Sequence, residues 1–248
     1  MSKLVKLLGA AAFLLGPALT LAAVDARSIP GTSPGVWHLN VTGEITAQDA
    51  LTVAAWRRQY GRIQSASLES AGGDVRAAMQ IGRMLRTDLA EGTANRCASA
   101  CVLVYLGLVS RPYLHDGNLA IHRAIGLQAA ATYAQEKTLV DQRNIWIGGY
   151  LKEMNISPRL LDAMNEVPSY KIRYLTQSEA ESFGISEYDP VYLEQRQGAI
   201  AKKLGVGMLE AQRRTIALIR QCDALSNGER SDPSYSARTS CIRSIGLM

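Results

Sequence analysis

The run Ile63 to Glu69 reads as a short strand, and it feeds into Ser70-Ala71-Gly72-Gly73-Asp74, a glycine turn that opens a helix. In that helix Val75, Ala78, Met79, Gly82, Leu85 and Leu89 recur at helical spacing, while Arg76, Arg83 and Arg86 fall elsewhere. This change of period leaves few architectures open, because the helix has to bury its apolar face against the strand that feeds it. Similar units flank it. Val36 to Val41 alternates, with Trp37, Leu39 and Val41 on one side and His38 and Asn40 on the other. Gly43-Glu44-Ile45 is expected to end that strand, and Ala47 to Arg58 looks helical. Gly92 is expected to stop the helix that starts at Val75. After a short link come Cys97-Ala98-Ser99-Ala100-Cys101 and the apolar run Val102 to Val109. Arg111-Pro112 breaks the chain, and Leu119-Ala120-Ile121-His122 reads as another short strand. Strands interleaved with helices predict an α/β fold.

The second half is more helical. Gln128 to Asn155 is mostly helical, and Ser157-Pro158 supplies an N-cap with proline at the first helical position. Thr176-Gln177-Ser178-Glu179 is a capping box for a short helix ending at Phe183-Gly184. From about Pro190 the chain is helical and charged up to Cys222, then turn-rich. There is no internal repeat and no low-complexity linker.

Composition narrows the classes. The 248 residues are 47% hydrophobic and 20% charged, which excludes a disordered or collagen-like chain. The net charge of +5 is not gathered into a block of Lys and Arg, so no nucleic-acid partner is expected. Three histidines leave little room for a zinc site, and no metal or cofactor is expected.

Met1 to Ala26 reads as a secretory signal. Lys3 and Lys6 precede an uncharged apolar stretch from Leu7 to Leu21, and Thr20-Leu21-Ala22 and Val24-Asp25-Ala26 both fit the small-x-small cleavage rule. The rival is an uncleaved anchor, since Leu4 to Val24 is long enough to span a bilayer, although Gly16-Pro17 breaks a helix there. The expected organisation is a leader over 1–26, an α/β domain over 27–190 and a helical tail over 191–248. The expected location is the periplasm or the medium, with membrane contact only if the leader stays on.

An oxidising compartment permits disulfides. Four cysteines allow three connectivities. Cys222 and Cys241 flank the turn-rich tail and are the favoured pair. Cys97 and Cys101 can pair with each other or remain thiols.

Ser99 sits between small residues at the start of an apolar helix, where backbone N–H groups favour developing negative charge. Its bland role is that of an N-cap. A serine nucleophile needs a base within hydrogen-bond reach, and His122, at the end of a short strand, is the natural candidate. Gly72 and Gly73 supply a turn whose N–H groups can face a bound carbonyl. His115 lies in a turn-rich loop and is expected exposed, and His38 is expected to be structural.

In that order, these parts resemble the Clp protease proteolytic subunit family and the wider Clp/crotonase superfamily. Ser70-Ala71-Gly72-Gly73-Asp74-Val75 resembles the family's SPGGxV oxyanion loop, with Ala for Pro. Ala98-Ser99-Ala100 resembles its nucleophile motif and Ile121-His122 its base. Tyr174-Leu175-Thr176-Gln177-Ser178-Glu179-Ala180, followed by Phe183-Gly184-Ile185, is similar to its closing FLSAxEAxxYGLID segment. Gly43-Glu44-Ile45 resembles its early GxI turn. The resemblance runs from about Val36 to Tyr188. With the leader and the cysteines beside Ser99, it points to an exported, uncharacterised branch.

The resemblance implies a Clp/crotonase-like ββα superhelix with an added helical tail, and homo-oligomers. It implies an exported serine peptidase-like hydrolase acting on a peptide or protein. Ser99 and His122 would be catalytic, and Gly72, Gly73 and Ala100 would form the oxyanion site. One position departs: the family's triad acid corresponds to Ile172, and no carboxylate occurs between Glu166 and Glu179. Asp141 or Glu166 would have to reach His122 from elsewhere, or Tyr170 or a backbone carbonyl would have to orient the ring. Otherwise the protein is a degenerate peptide-binding or assembly module of the same fold. An acyl-CoA hydratase or isomerase is disfavoured by export, since coenzyme A is expected in the cytosol.

Overall fold

A computed structural model describes residues 24–28, 35–111, 115–124, 132–185, 188–222 and 233–246. The expected leader lies outside the described residues up to position 23. The chain is a mixed α/β protein.

The first sheet has four strands in the order β1 (Val24–Ser28), β2 (Val36–Ile45), β3 (Arg62–Gly73), β4 (Glu91–Ala94). β1 runs antiparallel to β2, and β2, β3 and β4 run parallel. The alternation in β2 works as its sequence suggests. Leu39 and Val41 are buried, whereas His38 turns to the other side and bonds Ser65, Ser67 and Asn40. The strand does not end at Gly43; a register shift between Thr42 and Glu44 absorbs the glycine and pairing continues to Ile45.

Helix α1 (Ala47–Tyr60) starts in a capping box of Thr46 and Asp49, and α2 (Val75–Thr87) starts at Asp74, whose carboxylate accepts the Ala77 N–H at 2.7 Å. α2 buries Ala77, Ala78, Met79, Ile81, Gly82 and Leu85. It stops at Thr87, five residues before the expected Gly92, because Asp88 has another task. Its carboxylate takes Arg57 in two bonds and the Ile63 N–H at 3.0 Å, which fixes the chain reversal. Gly92 instead lies inside β4.

A smaller sheet orders β5 (Cys97–Ala98), β6 (Leu119–Ile121) and β7 (Arg173–Tyr174), with β5–β6 parallel and β6–β7 antiparallel. Between β5 and β6 runs α3 (Ala100–Leu106), every residue of which is buried. It packs between α2 and β3. The long helix α4 (Tyr133–Glu153) is tied to it by the Tyr150 hydroxyl, which donates to the Leu103 carbonyl at 2.6 Å. α5 (Arg159–Glu166) follows, starting one residue later than Ser157-Pro158 suggests, with Pro158 itself at the cap. α6 (Gln177–Ser182) carries the expected Thr176–Glu179 capping box.

The tail continues as α7 (Pro190–Leu204), α8 (Met208–Ala217) and a π-helical turn, Leu218–Cys222. Part of the region expected to be turns forms α9 (Pro233–Ser244), joined back by the Cys222–Cys241 disulfide. Among the described residues no helix is long and apolar enough to cross a membrane.

Candidate active site

Ser99 occupies the elbow between β5 and α3 with φ 54° and ψ −125°. A non-glycine residue at positive φ costs about 1–3 kcal/mol and persists only where its surroundings hold it. Several constraints do so here. The Ser99 N–H donates to the Ala120 carbonyl at 2.9 Å, which ties the elbow to β6. The Ser99 carbonyl accepts from Val102 at 3.0 Å, which starts the helix. A Cys97–Cys101 disulfide bridges the two sides of the elbow, with both residues fully buried. Ser99 stands at the cap position, but its hydroxyl makes no cap bond. This strand–elbow–helix arrangement is one in which a serine nucleophile is held out for reaction.

The glycine pair reaches the elbow differently from the expectation. Gly72 and Gly73 are the last residues of β3, not a turn, at φ +105° and +142°. A Cβ on Gly72 would lie 2.7 Å from the Ser99 Cβ and 2.9 Å from the Ala100 nitrogen. A Cβ on Gly73 would lie 2.1 Å from the Ile45 carbonyl oxygen. No side chain fits either place, so the backbone of β3 runs against the nucleophile's. Gly72 is also corrected as an oxyanion donor, because its N–H is committed to the Ser70 hydroxyl at 3.0 Å. Gly73 and Ala100 remain as candidate donors. Ala100 is the first residue of α3, and its N–H has no acceptor among the described residues.

His122 follows directly on β6, half-buried. Its Nδ1 lies 2.8 Å from the Arg123 carbonyl oxygen. A carbonyl only accepts, so Nδ1 carries the proton and Nε2 carries the free lone pair that a general base needs. Arg123 is itself anchored: its N–H donates to Val167 at 2.9 Å, and its guanidinium donates twice to the Asn165 carbonyl. Of the groups that sequence reading offered in place of the missing acid, the backbone carbonyl is the one in contact. Asp141 pairs with Lys137 on the surface of α4, Tyr170 is 82% exposed, and neither they nor Glu166 bonds the imidazole. His38 is held in β2 by serines, and His115 is exposed, bonded to the Asp116 carbonyl.

Ser99 and His122 line one cleft of about 470 Å³, together with Gly73. The helix α4 forms its far wall with Leu139, Arg143 and Trp146. Those residues escaped sequence reading, although their i, i+4, i+7 spacing marks one helical face. Glu44, Asp74, Val75 and Arg76 complete the rim from β2 and α2. Among the described residues no group of three or more His, Cys, Asp or Glu comes together to hold a metal.

No family model matches the chain, and no curated protein does. Among solved structures it is similar to a point mutant of ClpP1 from Listeria monocytogenes, at 18% identity and a TM-score of 0.43. The similarity covers 60% of this chain and 87% of that one.

Proposed function

We propose that the chain is an exported Clp/crotonase-like serine hydrolase acting on peptide bonds. The observation that carries this reading is the Ser99 elbow: a strained serine whose hydroxyl makes no cap bond, in one cleft with a histidine whose Nδ1 is held by a carbonyl. In the reaction the Ser99 Oγ attacks the scissile carbonyl and Nε2 of His122 takes the hydroxyl proton. The N–H groups of Gly73 and Ala100 stabilise the oxyanion. The imidazolium then gives its proton to the leaving amine, and water repeats the sequence on the acyl-enzyme.

The carbonyl of Arg123 orients the ring but brings no full negative charge to the imidazolium. Turnover is therefore slow beside a full triad, in which amidating the acid costs about 10⁴ in one tested protease. Location in the periplasm or the medium accords with two disulfides. A homo-oligomer goes with this reading, since Ile145 on α4 is 73% exposed and a second copy can cover it.

Among the described residues no carboxylate bonds His122, which favours a second reading, a peptide-binding module that keeps the cleft without turnover. A fluorophosphonate probe separates the two. Labelling of the wild type that disappears in Ser99→Ala and His122→Ala supports the hydrolase. No labelling, where a control hydrolase reacts, leaves the binding module.

A further inference from the structure

The cleft wall contains a largely buried arginine that no carboxylate among the described residues answers. Arg143 on α4 is only 9% exposed, yet among the described residues its one hydrogen bond is a long 3.4 Å contact to the Ala124 carbonyl. Arginines elsewhere show what a satisfied guanidinium looks like in this chain: Arg57 is paired with Asp88 at 2.6 Å and Arg86 with Asp189 at 3.0 Å. Residues 125–131 contain no Asp or Glu. Among the described residues, the carboxylates lining the cleft are Glu44, exposed at the rim, and Asp74, which caps α2. The nearby cations are Arg76, which lies over the Trp146 ring at 3.8 Å, and His122 when protonated. Burial holds the Arg143 guanidinium below its ordinary pKa.

An unpaired buried charge destabilises a fold, and a ligand of opposite charge relieves it. The planar fork of arginine matches a carboxylate in two parallel bonds. Leu139 and Trp146, one turn to either side, give the ligand's aliphatic stem an apolar bed, and the Arg76 guanidinium helps hold the indole in place. We infer that Arg143 is the specificity residue of this cleft and takes a carboxylate on the peptide, from an acidic side chain or a free C-terminus, next to the bond presented to Ser99. The inference rests on the proposed peptide reading for the rest of the ligand. The anion site itself stands on Arg143 and its surroundings.

Binding is measured in the Ser99→Ala protein, where no turnover intervenes. The probes are fluorescein-labelled tetrapeptides with Glu or Gln at each position in turn, each as free acid and as amide, followed by anisotropy. At one position Glu should exceed Gln by about tenfold or more, or free acids should exceed amides by that factor, as expected for a charged hydrogen bond. The two arms separate a side-chain carboxylate from a terminal one. The preference should vanish on adding Arg143→Gln and return in part with Arg143→Lys. Arg143→Gln should melt at or above the parent temperature, because it removes a nearly buried charge that no carboxylate among the described residues answers. No acid preference at any position, a preference that survives Arg143→Gln, or a lowered melting temperature in that variant overturns the inference. Fluorophosphonate labelling of the Ser99-intact protein reports separately on the hydrolase reading. A protein that selects acidic peptides without labelling retains the anion site and loses the reaction.

Discussion

Ile121 pairs with Arg173 across the antiparallel strands β6 and β7. His122 and Ile172, the latter 52% exposed, are the residues just beyond that pair on the two segments. Ile172→Asp places a carboxylate there. The expected outcome is a rise of at least about tenfold in the rate of fluorophosphonate labelling, a fraction of what a full triad acid supplies. Timed labelling checks this, and an unchanged rate would argue against His122 as the base.

The Cys97–Cys101 bridge holds the two arms of the nucleophile elbow. Removing it with Cys97→Ser and Cys101→Ser should lower stability by about 2 kcal/mol, the loop-closure value for so short a loop. Labelling of Ser99 should fall further than the global stability loss explains, because the strained backbone is then free to relax. Urea unfolding and labelling under fully folded conditions separate these effects.

Gly72→Ala places a methyl group 2.7 Å from the Ser99 Cβ and 2.9 Å from the Ala100 nitrogen, at a backbone angle of φ +105°. The strand and the elbow must move apart. A destabilisation of about 1–3 kcal/mol is expected, with loss of probe labelling. Ala71→Gly, one residue earlier and exposed, is the control and should label normally.

Strand β1 begins at Val24, which is 4% exposed and pairs with Val41. Cleavage after Ala26 would remove three of its five residues, whereas cleavage after Ala22 leaves it whole. If the proposed leader is cleaved, the mature protein should therefore start at Ala23. Intact-mass measurement checks this, and a start at Arg27 would show that the β1–β2 pairing is dispensable.

Much of the frame was legible because it rests on local rules. The alternation of Val36 to Val41, the apolar stripe after Val75 and the Thr176–Glu179 box each carry their signal within one element. Ser99, His122 and the glycine pair stood out by residue type and order. Other features left no such mark. β4 and β5 are four and two residues long, too short to show a period, and they are strands only because β3 and β6 offer them partners. The glycines looked like a turn because glycine frees the backbone; here they extend a strand because neighbouring backbone leaves no room for a side chain.

The sequence by itself determined which groups can react and which segments alternate as strand and helix, since chemistry and periodicity belong to residue types. Only the tertiary structure decided that the Arg123 carbonyl lies against His122 Nδ1 and that Arg143 is nearly buried with one long bond to a carbonyl and no carboxylate among the described residues. Every residue has a carbonyl and the chain has many arginines; what distinguishes these two is their surroundings, which folding alone assembles.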